Sequence, residues 1–180
     1  MLNEVLEKTL ISEEEIKARV SELAKQIEKD YEGKAPTMIG VLKGSIMFYT
    51  DLVRQINLPL TVDFMSISSY GAGVNSTGEV KIIKDIDGKI GGKDVIIVED
   101  IIDSGYSMNC LLKLFATRSP KSVKVCALLD KPSRREIPVQ IDYTGFQVAN
   151  EFVVGYGLDY AGLYRNIPFI GVLKKEVYEK

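Results

Sequence analysis

The sequence predicts an α/β fold: a mostly parallel, twisted sheet flanked by helices, with a small hood formed by the terminal segments. Apolar segments that suit buried strands alternate with helical patterns through residues 37–129, and this alternation is typical of a parallel sheet. The chain has 180 residues, which is enough for about one domain. We therefore expect a single domain over 1–180, with a core at about 37–140 and a hood built from the N-terminal segment and about 141–180.

Local patterns predict three helices. Ser12 and Glu15 form a capping box at the start of the first helix, whose apolar residues then recur at helical spacing. The second helix follows the Lys43-Gly44-Ser45 turn, is rich in apolar residues and runs to about residue 56. The third is expected over about 105–118.

The predicted strands are short apolar segments bounded by polar or Gly-containing turns. The β-branched segment Asp94–Val98 is typical of a strand buried on both faces of a parallel sheet, and we expect it to end at Glu99 and Asp100. Residues 69–78 are rich in Ser, Gly, Asn and Thr, which predicts a long mobile loop. Further strands are predicted over 37–42, 61–68, 80–83, 122–129, 141–148, 152–154 and 169–173.

Composition and charge exclude several classes of function. The 23 basic and 25 acidic residues give a net charge of −2, so no broad attraction for nucleic acid or anionic lipid is expected. The absence of histidine excludes Ser-His and Cys-His nucleophile pairs and imidazole-based zinc sites. Cys110 and Cys126 lack CxxC spacing, and we expect a buried, reduced pair. Without a signal peptide or an apolar run of about 20 residues, we expect a soluble cytoplasmic protein.

Two adjacent carboxylates follow the 94–98 strand. Glu99 and Asp100 would lie at the carboxyl edge of the sheet, where open α/β sheets bind ligands. They could hold sugar hydroxyls directly, or Mg²⁺ through intervening water. The alternative for such a pair is a solvated position with no ligand.

A short loop then leads into the third helix. Gly105 lets the backbone approach a ligand closely, while the hydroxyls of Ser104 and Ser107 and the N–H groups at the helix start can cradle a phosphate. An isolated Asp-Ser-Gly is more often a simple helix cap. The complete pattern is a strand followed by two acids, Asp103 and hydroxyl residues, and it is much more specific than an isolated Asp-Ser-Gly.

The pattern from Val95 to Ser107 resembles the phosphoribosyl-pyrophosphate loop of type I phosphoribosyltransferases. Further matches along nearly the whole chain narrow the resemblance to the hypoxanthine-guanine phosphoribosyltransferases. The resemblance implies the type I phosphoribosyltransferase fold, a Mg²⁺ cofactor, and purine salvage by transfer of the 5-phosphoribosyl group from phosphoribosyl pyrophosphate to N9 of hypoxanthine or guanine, giving IMP or GMP plus pyrophosphate. It also implies that the phosphoribosyl group and its phosphate are bound by Glu99, Asp100, Asp103, Ser104, Gly105, Tyr106 and Ser107.

The same resemblance assigns roles at the reacting end of the substrates. Asp103 is the candidate general base, accepting a proton from purine N7 as N9 attacks. Lys43 and Gly44 match the pyrophosphate loop, in which a cis peptide precedes the lysine, and Arg165 matches a pyrophosphate-binding arginine. Ser69 and Tyr70 match the start of a catalytic lid that excludes water.

The purine site is matched by two segments in the last third of the chain. By resemblance, Lys131 recognises the exocyclic O6, Phe152 stacks on the base and Val153 offers backbone hydrogen bonds. By the same resemblance, Asp159 lies near the base edge and a second metal. The implied metal ligands are Glu99, Asp100 and Asp159. Taken alone, Lys131 and Arg165 would be interpreted as solvated surface charges, and the Phe152–Tyr160 segment as part of a core strand.

Three questions stay open at the level of sequence. Residues 148–150 replace a Pro-containing segment that is common in the family, which leaves the preference among hypoxanthine, guanine and xanthine undecided. A phosphoribosyl-pyrophosphate-sensing regulator with the same fold is an alternative, although the acidic balance and the lack of a helix-turn-helix segment disfavour nucleic acid as a partner. A homodimer or homotetramer, with no membrane partner, is expected only by resemblance.

Overall fold

The computed structural model describes residues 2–69 and 80–179, and its strands form two separate sheets. The strands are β1 (Leu6–Ile11), β2 (Thr37–Leu42), β3 (Thr61–Ser69), β4 (Val80–Lys84), β5 (Asp94–Ile102), β6 (Ser122–Asp130), β7 (Tyr143–Gln147), β8 (Val153–Val154) and β9 (Ile170–Leu173). The helices are α1 (Glu13–Asp30), α2 (Ile46–Gln55), α3 (Tyr106–Ala116) and α4 (Lys175–Tyr178).

The larger sheet confirms the predicted mostly parallel α/β core. Its six strands run in the order β4-β3-β2-β5-β6-β7, and every pair is parallel except β3 with the edge strand β4. Side chains that alternate along β5 are buried on both faces. Ile96 and Val98 pack in one cluster with residues of α1 and α2, while Val95 and Ile97 pack in another with residues of α3.

The smaller sheet is antiparallel and joins the two ends of the chain in the order β1-β9-β8. Strand β1 was not predicted, because only its first and last residues, Leu6 and Ile11, are buried and no alternation marks it as a strand. Beneath this sheet lies a hood cluster of four buried residues, namely Leu6, Val154, Ile167 and Leu173.

The expected start of the hood at about residue 141 was wrong for β7. Strand β7 pairs in parallel with β6 and therefore belongs to the larger sheet. The local sequence could not show this, because a short half-buried strand fits either sheet and only its pairing partner decides between them.

Two local predictions are confirmed and two are corrected. The capping box at Ser12 and Glu15 is present, and α2 and α3 lie close to their predicted ranges. Strand β5 does not end at Glu99 and Asp100 but continues to Ile102, because it still pairs with β6 there. The expected pair of buried cysteines is half right: neither forms a disulfide, Cys126 is buried and Cys110 is partly exposed.

In the ranges described, none of the helices combines the length and the apolar character needed to cross a lipid bilayer.

Candidate active site

The carboxyl end of β5 leads through a tight loop into α3. Gly105 precedes the helix with φ +92°, and a Cβ atom there would lie 2.4 Å from the Ile137 carbonyl oxygen. Only glycine fits this position without strain. No side chain caps the start of α3, so the N–H groups of its first turn point into the loop without a capping partner and can bind an anion.

Asp103 lies in this loop with one carboxylate oxygen shielded from water. Its side chain is 41% exposed, and Arg134 Nε lies 2.9 Å from Oδ1. That contact is an ion pair rather than an aligned hydrogen bond, since the buried Oδ1 accepts none. The unsatisfied oxygen leaves Asp103 with capacity to accept a proton or hydrogen bond from a ligand.

Arg135 fixes the backbone of the same loop, and sequence analysis missed it. Its guanidinium donates through Nε to the Asp103 carbonyl oxygen at 3.0 Å and through Nη2 to the Ile102 carbonyl oxygen at 3.2 Å. Nη2 also donates to the buried carboxylate of Asp130. In the sequence Arg134 and Arg135 look alike, and only the fold distinguishes the exposed Arg134 from the partly buried Arg135.

The adjacent acids Glu99 and Asp100 interact with each other near the end of β5. The backbone N–H of Asp100 donates to Glu99 Oε1 at 3.2 Å. Asp100 lines a cavity of about 580 Å³ that Asp103 also lines. Burial raises the pKa of the Glu99 carboxyl well above its ordinary value, and the nearby charge of Asp100 raises it further.

The loop between β2 and α2 packs directly against Asp100. The peptide bond between Leu42 and Lys43 is cis, as the resemblance implies. Gly44 is buried, while Lys43 is exposed. The Ser45 hydroxyl donates to the Val41 carbonyl oxygen at 2.7 Å and so closes the loop instead of capping α2.

We expect Gly44→Ala to lower kcat/KM by roughly 10²-fold, because displacing a site group by about 1 Å can cost this much. The added Cβ would lie 1.6 Å from Asp100 Oδ2, so the carboxylate must move. The stability should change little, since a side-chain end can shift more easily than backbone. Steady-state kinetics and urea unfolding would test both expectations.

Gly88→Ala is the matched control for this substitution, because its Cβ would lie at an ordinary contact distance, 3.7 Å, from Asp63 Oδ2. It should leave the kinetics unchanged. Parental activity in Gly44→Ala would show that the close packing of Gly44 against Asp100 is not required.

The predicted purine-binding residues line the same cavity. Lys131, Phe152, Val153 and Asp159 lie around it together with Asp100 and Asp103. Lys131 is only 7% exposed, and its Nζ donates to the Glu151 carbonyl oxygen at 2.8 Å. Burial lowers the pKa of Lys131, although the charge of Asp103 partly opposes this. Val153 is buried, whereas the Phe152 ring is 36% exposed.

Asp159 and Arg165 form an ion pair beside the Gly44 loop. Arg165 Nη2 lies 2.7 Å from Asp159 Oδ1, and Nη1 donates to the Gly157 carbonyl oxygen at 2.6 Å. A Cβ at Gly157 would lie 2.0 Å from the Gly44 carbonyl oxygen. The fold therefore brings Arg165 close to Gly44, and the resemblance implies a pyrophosphate-binding role for both residues.

The two remaining parts of the predicted site are the lid residues and the metal ligands. Ser69 ends β3, while Tyr70, the other lid residue, lies outside the described residues. Across residues 2–69 and 80–179, no group of three or more acidic or Cys side chains is arranged to hold a metal ion. Glu99, Asp100 and Asp159 therefore do not form a ready-made cage.

Comparison with known proteins identifies the family. Residues 8–161 match the model of the phosphoribosyl transferase domain. The chain is 52% identical, over 179 residues, to the hypoxanthine-guanine phosphoribosyltransferase of Bacillus subtilis, and the match covers 99% of each protein. The chain belongs to the hypoxanthine-guanine phosphoribosyltransferase family. It also resembles the solved structure of a Staphylococcus aureus hypoxanthine phosphoribosyltransferase, with a TM-score of 0.96, 47% identity, and coverage of 99% of this chain and 97% of the other.

A third relative is much longer than this chain. The chain is 52% identical to part of the bifunctional protein TilS/HprT of Listeria innocua, with a match over 97% of this chain that spans only 27% of the longer protein. These relatives carry the names of enzymes, which does not favour the regulator alternative.

Proposed function

We propose that this chain transfers the 5-phosphoribosyl group from phosphoribosyl pyrophosphate to N9 of hypoxanthine or guanine. The observation that carries the proposal is the single cavity that brings together Asp100, Asp103, Lys131 and Phe152 at the carboxyl ends of the parallel strands. Parallel sheets bind ligands at this edge. The phosphoribosyl group would lie over the start of α3, with the base between Lys131 and Phe152.

Lys131 supports the choice of a 6-oxopurine. An ammonium group has three donors and no acceptor, and one donor already binds the Glu151 carbonyl oxygen. The remaining donors can reach an exocyclic oxygen, whereas the exocyclic amine of adenine would present another donor. A buried cation would therefore favour hypoxanthine or guanine over adenine.

Asp103 would accept the N7 proton as N9 attacks the ribose carbon. The negative charge that develops on the departing pyrophosphate would be stabilised by Lys43 and Arg165. Because Arg165 is tied to Asp159 and to the Gly157 carbonyl oxygen, its guanidinium is positioned before substrate binds. Preorganised charge of this kind needs little rearrangement in the transition state.

The acidic residues fit a hard divalent cation. Within the described parts of the chain, neither Glu99 nor Asp100 has a lysine or arginine as ion-pair partner. Burial and the nearby charge of Asp100 raise the pKa of Glu99. Carboxylates are the protein ligands that Mg²⁺ prefers, usually with substrate phosphates completing the shell. Glu99 and Asp100 would hold Mg²⁺ and Asp159 a second metal ion, and the added positive charge would stabilise the pyrophosphate.

The test is nucleotide formation from phosphoribosyl pyrophosphate and Mg²⁺ with hypoxanthine, guanine, xanthine, adenine, orotate or uracil supplied separately. We expect turnover with hypoxanthine or guanine. Turnover only with adenine, orotate or uracil would overturn the assignment of the base pocket.

We also propose that the protein is cytoplasmic and forms a homodimer or homotetramer. Light scattering after size-exclusion chromatography would test the oligomeric state.

We expect Lys131→Ala to raise KM for hypoxanthine by roughly tenfold to a hundredfold, since a lost hydrogen bond to a charged group costs about 1.5–3 kcal/mol. KM for phosphoribosyl pyrophosphate should change much less. Lys8→Ala is the matched control, because Lys8 Nζ lies 2.5 Å from Glu151 Oε1, its side chain is 48% exposed, and Lys8 does not line the cavity. Equal losses for both substrates in Lys131→Ala would indicate a structural role instead.

A further inference from the structure

The C-terminal helix brings an aromatic ring to the purine side of the cavity. Tyr178, the last residue of α4, stacks on Phe152, with ring centroids 4.8 Å apart and planes inclined by 22°. The Tyr160 ring lies nearly perpendicular to that of Phe152, with centroids 5.6 Å apart and planes at 86°. Tyr178 also lines the cavity together with Lys131 and Asp159. Two aromatic rings thus contact the Phe152 ring, one stacked on it and one perpendicular to it.

The hood fixes the position of both stacked rings. Leu173 N donates to the Phe152 carbonyl oxygen at 2.8 Å, and Lys174 N donates to the Val5 carbonyl oxygen at 3.0 Å. Tyr178 packs against the hood cluster as well as against Phe152. Backbone hydrogen bonds of segments near both ends of the chain therefore support the stack.

We propose that Tyr178 is a positioning residue of the purine site, which holds the Phe152 ring so that the incoming base stacks on the face that Tyr178 leaves open. This inference rests on the proposed function. Aromatic rings 4.5–7 Å apart favour offset stacking, and Phe152 remains 36% exposed despite its two ring contacts. A ring that is ordered before the base arrives removes the cost of ordering it during binding.

The test compares Tyr178→Ala and Tyr178→Phe with the parent chain. Loss of the stack should raise KM for hypoxanthine by about threefold to tenfold, with KM for phosphoribosyl pyrophosphate unchanged. Tyr178→Phe keeps the ring and should restore the parental KM. Val177→Ala is the control, because Val177 packs against the hood cluster from the same helix and has no ring to place on Phe152.

The dissociation constant of GMP, measured by calorimetry, separates this proposal from the proposed function. A parent chain that forms no nucleotide would overturn the function, whereas the GMP affinities would still decide the role of Tyr178. Weaker GMP binding in Tyr178→Ala alone supports the proposal. Tighter binding would overturn it, because Tyr178 would then occupy the place of the base. Equal weakening in Val177→Ala would also overturn it, by showing a general effect of α4.

Discussion

Replacing Asp103 with asparagine is expected to lower kcat by roughly 10²–10⁴-fold, the usual range for a lost acid–base group, with little change in KM. Asparagine keeps the size of the side chain and can still face Arg134, but it cannot accept the N7 proton. The buried Oδ1 has no aligned hydrogen-bond donor, so the substitution removes a proton acceptor rather than a structural bond. Steady-state formation of IMP at saturating substrates would measure the effect.

Asp87→Asn provides the control for this substitution. Asp87 is 85% exposed in its side chain and pairs with Lys84, and it does not line the cavity around Asp103. The same chemical change should therefore leave kcat at the parental value. An unaltered kcat in Asp103→Asn would assign the proton to another acceptor.

The parts of the fold that could be predicted are those in which the local pattern and the tertiary structure agree. The apolar run of β5, followed by Gly105 and an apolar-rich helix, predicts a strand, a tight turn and a helix independently of the rest of the fold. Ser12 and Glu15 similarly satisfy each other across one helical turn. Neither feature depends on distant residues, so the sequence alone is sufficient.

The features that could not be predicted depend on distant partners. Strand β1 exists because it pairs with β9, more than 150 residues away along the chain. Tyr178 reaches Phe152 only because the hood joins the two ends of the chain. The resemblance predicted which residues share the cavity, but it did not indicate whether Arg134 or Arg135 holds the Asp103 loop.

Arg135→Ala is expected to destabilise the folded chain by about 3–5 kcal/mol, the cost of leaving one partner of a buried ion pair uncompensated. The side chains of Arg135 and Asp130 are only 16% and 10% exposed. The substitution also removes donors from the carbonyl oxygens of Asp103 and Ile102. The midpoint of urea unfolding should fall accordingly.

Arg134→Ala distinguishes the effect of burial on stability from the effect of charge, because it removes the same kind of side chain from the adjacent, exposed position. Arg134 is 51% exposed, and exposed ion pairs contribute about 0–1 kcal/mol, so its unfolding midpoint should stay near the parental value. Arg135→Lys should recover only part of the loss, since one ammonium cannot reproduce the planar fork that bonds a carboxylate and two carbonyl oxygens. Equal stability of the two alanine variants would show that Arg135 does not hold the Asp103 loop. A selective loss in Arg135→Ala would instead mean that the loop bearing the proposed base is fixed from the strand β6 side, through the carboxylate of Asp130.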